Sequence, residues 1–124
     1  MNYPYDDNNY YPPAPVLPIT VRVPGDSISQ VTIEALVDTG ADITALPRSL
    51  IRALHAERAS SYDVLGISGV PIGPADSYFL EFEIASKKLL SEVIAVGDDP
   101  ILGRNLINEF KLNLHEPAQK LIIT

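Results

Sequence analysis

The chain has 124 residues, 46% of them hydrophobic and 20% charged, with a formal net charge of −7 and a pI near 4.6. That length suffices for one domain with its own core, and an acidic balance without a basic patch excludes nucleic acid as a main partner, because phosphate binding is driven by Lys and Arg. There is no cysteine, hence no disulfide and no thiolate zinc site; no apolar stretch is long enough for a membrane span, and no basic-then-apolar leader opens the chain, so no membrane partner and a cytoplasmic location are expected.

Met1–Pro15 is rich in Tyr, Pro, Asn and Asp. It has little to bury and its prolines remove ladder donors, so residues 1–15 are expected to be a flexible tail. The domain is expected to occupy 16–124. Ile19–Val23 and Val31–Val37 alternate apolar and polar residues around the turn chemistry of Pro24-Gly25-Asp26-Ser27, which predicts a β-hairpin. Leu46, Leu50, Ile51 and Leu54 share one helical face behind Pro47, which predicts a short helix over 47–54. Tyr62–Leu65 and Ser77–Ala85 read as strands joined by a Gly-rich arm, 66–73. Lys87-Lys88 reads as a solvent turn, and Leu90–Val96 as a further strand. Ile101-Leu102 stops at Gly103, and Arg104–Phe110 suits a short helix. Leu112–Leu114 and Leu121–Ile123 are closing strands, the latter a candidate interface strand. Many short strands, two short helices and no βαβ rhythm predict an all-β domain, a closed barrel-like sheet.

Within this pattern Asp38 is out of place: a carboxylate ending the apolar strand that runs through Leu36 and Val37. The Asp38-Thr39-Gly40 turn can hold a carboxylate against backbone N–H groups, and the Thr39 hydroxyl can both donate and accept. By itself the tripeptide is also ordinary turn or cap chemistry, and the Gly-rich arm could be an ordinary hairpin loop. One carboxylate is a poor catalyst for amide hydrolysis, which needs both a base for water and an acid for the carbonyl and leaving nitrogen. Two carboxylates about 3 Å apart supply both, because they share one proton. With a single Asp-Thr-Gly in the chain, the second carboxylate would come from a second copy across a two-fold axis.

Ala35-Leu36-Val37-Asp38-Thr39-Gly40-Ala41-Asp42, followed by Ile101-Leu102-Gly103-Arg104-Asn105-Leu106 with a Gly-rich arm between, resembles the retropepsins, the retroviral-type pepsin-like aspartic proteases, bacterial retropepsin-like proteins included. The resemblance spans about Ile19 to Thr124. It implies a single-lobe retropepsin-like barrel, a homodimeric aspartic endopeptidase acting on peptide or protein substrates, and no metal or cofactor. It assigns catalysis to Asp38, the axis-crossing hydroxyl to Thr39, and contacts to carboxylate and substrate to Gly40 and Ala41. Asp42 would pair with Arg104. Leu36, Ala41, Asp42, Ile43 and Ala45 would contact substrate from below. The arm Gly66–Gly73 would be the flap, with Ile67, Ser68, Gly69 and Val70 over the substrate. Ile43 stands where some viral members carry a second Asp, which implies a more apolar pocket. Pro71 and Pro74 are unusual in a flap, and the first residues do not match the short interleaving strand that the smallest viral members use to dimerise. A retropepsin-fold dimerisation or peptide-binding module with little turnover is the rival expectation, and a precursor restrained by Met1–Pro15 is a third.

Overall fold

The computed structural model describes residues 1–26, 28–65, 69 and 71–124. Its elements in chain order are β1 (Asn2–Pro4), β2 (Val16–Arg22), β3 (Gln30–Val37), β4 (Thr44–Leu46), α1 (Arg48–Leu54), β5 (Ser60–Leu65), β6 (Pro71–Ile84), β7 (Lys87–Ala95), β8 (Ile101–Leu102), α2 (Arg104–Ile107), β9 (Leu112–His115) and β10 (Lys120–Ile123). Seven strands form one sheet in the order β2-β3-β8-β4-β7-β6-β5, and a further β2–β6 pairing closes it into a barrel with β5 hanging from the rim. The expected all-β closed barrel with short helices is what forms. No helix of the described residues is long and apolar enough to cross a membrane.

The alternating strands deliver their apolar residues to one side, as the period of two requires. Leu80, Phe82 and Ile84 of β6 are fully or almost fully buried, as are Ile19 and Val21 of β2, and Val93 of β7. α1 places Ile51 and Leu54 over this core. The seam between β2 and β6 is clamped by Arg22, whose guanidinium donates to Glu81 at 2.7 Å and to Glu83 at 3.1 Å.

Several boundaries differ from expectation. α2 stops at Ile107, short of Phe110, because the chain tightens there into turns, with Glu109 N donating to Leu106 O and Phe110 N to Ile107 O. β6 starts at Pro71, well before Ser77, because the Gly-rich arm continues straight into the ladder with β5. The turn before β7 is Ala85-Ser86, both at positive φ (49° and 69°), while Lys87 and Lys88 already pair with Ile84 and Glu83. β4 was not legible at all.

The amino-terminal segment is the larger correction. Asn2–Pro4 is a strand antiparallel to β10, and Tyr5 is 7% exposed in the main core. Met1 N donates to Ile123 O, Tyr5 N to Gln119 O, and Val37 N to Pro15 O. Proline count argued for a free tail, but Pro4 ends its strand, where a missing donor matters least, and the tyrosines supply the apolar area that the prolines lack. β10 thereby becomes the central strand of a three-stranded sheet, β1-β10-β9. In the single chain both of its edges are taken and Leu121 and Ile123 are buried, so it is not the free interface strand that its sequence suggested.

Candidate functional site

β8 lies between β3 and β4, parallel to the first (Leu36↔Ile101, Val37↔Leu102) and antiparallel to the second (Ala45↔Ile101). The chain leaving β3 must therefore cross the end of β8 before returning as β4. That crossing is residues 38–43, and Asp38 is its first residue.

Two contacts tie the crossing to the β8 end, and a third ties in the start of β4. Asp38 N donates to Leu102 O at 3.1 Å, Arg104 N donates to Ala41 O at 2.8 Å, and Gly103 N donates to the Thr44 hydroxyl at 3.0 Å. The approach is close enough that a side chain on Gly103 is impossible: a Cβ there would come within 2.5 Å of the Ile43 carbonyl carbon and 2.8 Å of Thr44 N. Glycine is required here for space.

The Asp38 carboxylate is half-buried, and its Oδ1 accepts the Gly40 N–H at 2.9 Å. A Cβ on Gly40 would sit 3.1 Å from that oxygen, so Gly40 serves by close approach, and its φ is not in the left-handed region. Thr39 and Gly40 are exposed in the single chain. Arg104 grips the loop from outside: one guanidinium nitrogen donates to Thr39 O at 2.7 Å and the other pairs with Asp42. The expected ion pair is present, but it is not partly buried. The Asp42 side chain is 86% exposed, so the pair contributes little to stability and its effect is to hold the loop.

Beneath the loop is a buried polar knot. Thr44 is fully buried and gives both its N–H and its hydroxyl to Asn105 Oδ1, each at 2.9 Å. Asn105 Nδ2 continues to Glu92 O at 2.8 Å and Ser91 Oγ at 3.0 Å. One amide thus joins α2, β4 and β7.

A cleft of about 470 Å³ opens over the loop that follows Asp38, starting at Gly40; Asp38 itself is not among its lining residues. Its floor is Gly40, Ala41, Asp42, Ile43 and Ala45, its back Ile94 and Ile101, and its far wall Tyr62–Leu65 of β5. Ala45, Ala75 and Ile94, with Ile43, Val64, Val96 and Ile101 against them, form a small apolar cluster separate from the main core. Of the expected substrate contacts, Ala41, Asp42, Ile43 and Ala45 line this cleft. Leu36 does not; it sits in the ladder opposite Val16 and Ile101. Gly69 is exposed at φ +77° with open space around it. Ile67, Ser68 and Val70, like Gly66, lie outside the described residues.

Sequence reading missed Thr44, the steric role of Gly103, the joining role of Asn105, and the β5 wall. The wall could have been found by pairing the two ends of the Gly-rich arm as a hairpin, which puts Tyr62 opposite Ala75 and Val64 opposite Gly73. No group of three or more His, Asp or Glu among the described residues could hold a metal ion.

Residues 13–115 match the family model of the retroviral aspartyl protease. Among solved structures the chain is similar to the foamy viral protease-reverse transcriptase, a structure in complex with double-stranded DNA, at 21% identity and a TM-score of 0.56. That likeness covers 78% of this chain but only 16% of the viral one, so it bears on the fold and not on the viral protein's other activities. No curated protein matches the sequence.

Proposed function

Because the chain belongs to the retroviral aspartyl protease family, we propose that it is an aspartic endopeptidase whose active site is completed by a second copy of itself. The carrying observation is Asp38: a half-exposed carboxylate on a braced loop, oriented by the Gly40 N–H, with the loop's next residues, from Gly40 on, forming the floor of an apolar cleft.

Across a two-fold axis, Asp38 of each copy meets the other with one proton between them. The ionised carboxylate takes a proton from water, which attacks the peptide carbonyl. The protonated carboxyl gives its proton to the carbonyl oxygen, forming a gem-diol. The carboxyl that took the water's proton then passes it to the departing amine, and collapse of the diol to the acid returns one proton to the pair. No covalent bond to the enzyme forms. The loop's bracing by Arg104 and by the Thr44–Asn105 knot holds the carboxylates in position without rearrangement during the reaction. Substrate would lie extended between the 40–45 floor and the β5–β6 hairpin acting as flap, its backbone adding a strand and its side chains filling the cleft. With Ile43, Ala45, Val64, Ile94 and Ile101 around it, that cleft suits an aliphatic side chain.

The Asp38→Asn variant tests the assignment. It should fold and assemble as the parent does while cleaving no peptide from a mixed library; cleavage at the parent's rate would remove Asp38 from the chemistry.

A further inference from the structure

On the opposite side of the β5–β6 hairpin from the cleft lies a second concavity, about 430 Å³, between the hairpin and α1. Ile51, Ala95 and Pro74 give it an apolar floor, Arg48 and Arg52 line its α1 side, and Ser61 and Tyr78 present hydroxyls from the sheet side.

The arginines are the anomaly. The chain has 16 carboxylates and 9 cations, among them five arginines. Arg22, Arg58 and Arg104 are each paired with a carboxylate. Arg48 and Arg52 are not, among the described residues, and both line this one concavity. Local physics disfavours Arg48 there, while Arg52, in the last turn of α1, has the helix dipole in its favour. They are one helical turn apart, where like charges repel. Arg48 is in the first turn of α1, at the positive end of the helix dipole, and no acidic residue occupies that turn. Asp76, the carboxylate on the opposite wall, is held by Arg58 at 3.6 Å. Two guanidinium groups one turn apart over a shared concavity, neither paired with a carboxylate among the described residues and the carboxylate opposite already engaged by Arg58, are a site for an external anion.

We propose that this concavity binds the carboxylate side chains of an acidic peptide segment. Guanidinium forks pair with carboxylate oxygens two at a time, the Ser61 and Tyr78 hydroxyls add donors, and the apolar floor takes the methylenes of a Glu side chain. The bound segment would bridge α1 to Ser61 and Asp76, which sit opposite each other in the hairpin ladder.

The test is anisotropy of a fluorescein-labelled hexaglutamate peptide titrated with the full Asp38→Asn chain, which cannot consume the probe if the chain is a protease. Its result does not depend on catalysis, so its failure leaves the proposed function standing. Saturable binding is expected, weakened about tenfold or more in Arg48→Gln/Arg52→Gln and less than about twofold in Lys111→Gln/Lys120→Gln, which carries the same charge change elsewhere. Amide exchange at Ser61 and Asp76 should slow on binding. Equal weakening in both variants, binding of inorganic phosphate without binding of the peptide, or unchanged exchange at Ser61 and Asp76 would each overturn the site.

Discussion

Asn105 Oδ1 accepts two hydrogen bonds from a single buried residue, the N–H and the hydroxyl of Thr44, both at 2.9 Å. Asn105→Ala would leave a buried backbone donor and the carbonyl of Glu92 without their partner. Each such orphan costs about 1–3 kcal/mol, so a loss of about 2–6 kcal/mol is expected for the two. Calorimetry should show a fall in Tm of roughly 8 °C or more. A change within about 2 °C would mean that water replaces the amide at little cost.

The two glycines of the site should separate folding from function. Gly103→Ala drives a methyl into the backbone of Ile43 and Thr44, a contact that neither partner can relieve by rotating a side chain. It should destabilise by more than about 3 kcal/mol, seen as a collapse of the urea midpoint. Gly40→Ala meets only the Asp38 carboxylate, at 3.1 Å. It should leave the urea midpoint nearly unchanged and lower kcat by about tenfold or more, because a displaced carboxylate loses alignment. Equal stability losses in the two variants would contradict this division.

Much of this architecture was legible because it rests on patterns of period two: Ile19–Val21, Leu80–Ile84 and their turns announced the barrel. Asp38 was legible as an anomaly, a carboxylate set directly at the end of the apolar run Leu36-Val37. What escaped was set by contacts distant in sequence. Thr44 reads as one more β-branched residue until Asn105, 61 positions on, arrives beside it. Gly103 reads as a helix boundary, and only the crossing of 38–43 over β8 shows that its missing side chain is what lets two backbones touch. Tyr3 and Tyr5 sat in a proline-rich run whose composition argued for solvent, and the partner that orders them, β10, is at the other end of the chain.

Arg104→Lys keeps the charge and removes the fork. A lysine cannot serve Thr39 O and Asp42 together with the same geometry. Since Asp42 is largely exposed, stability should change by less than about 1 kcal/mol. Cleavage should fall about tenfold or more through a loosened 38–42 loop, with kcat affected more than KM. Unaltered kcat would show that the loop is held adequately without Arg104.

Acid should loosen two loops before it unfolds the barrel. The N–H groups of Ile28 and then Ser29 hold the Asp26 carboxyl below its ordinary value of 3.8. Asp6 is likewise lowered, first by the Asn9 side chain and then by the N–H groups of Asn9 and Asn8. A carboxyl lowered in the folded state stabilises fully above its unfolded value, and the contribution is lost as pH falls through the folded value. Carbon NMR titration should therefore place both midpoints below 3.8. Amide exchange at Ser29 and Asn9 should accelerate only in that acidic range. Midpoints at or above 3.8 would remove the hydrogen bonds from solution.

Sharing one site between two chains has consequences in rate laws. If each active centre needs Asp38 from two copies, the rate follows the concentration of dimer. Below the dissociation constant a twofold dilution should then lower it about fourfold. Mixing offers a sharper test at concentrations where dimers are saturated. Adding an equal amount of Asp38→Asn chain to the parent, with time to exchange, should distribute the chains statistically. About half of all dimers become mixed, and the parent's activity should fall to about half although none of it has been removed. A chain that carried a complete site within itself would not respond to the inert variant, and its rate per molecule would stay constant on dilution. Either result would overturn the shared-carboxylate mechanism while leaving the barrel, the braced loop and the cleft as described.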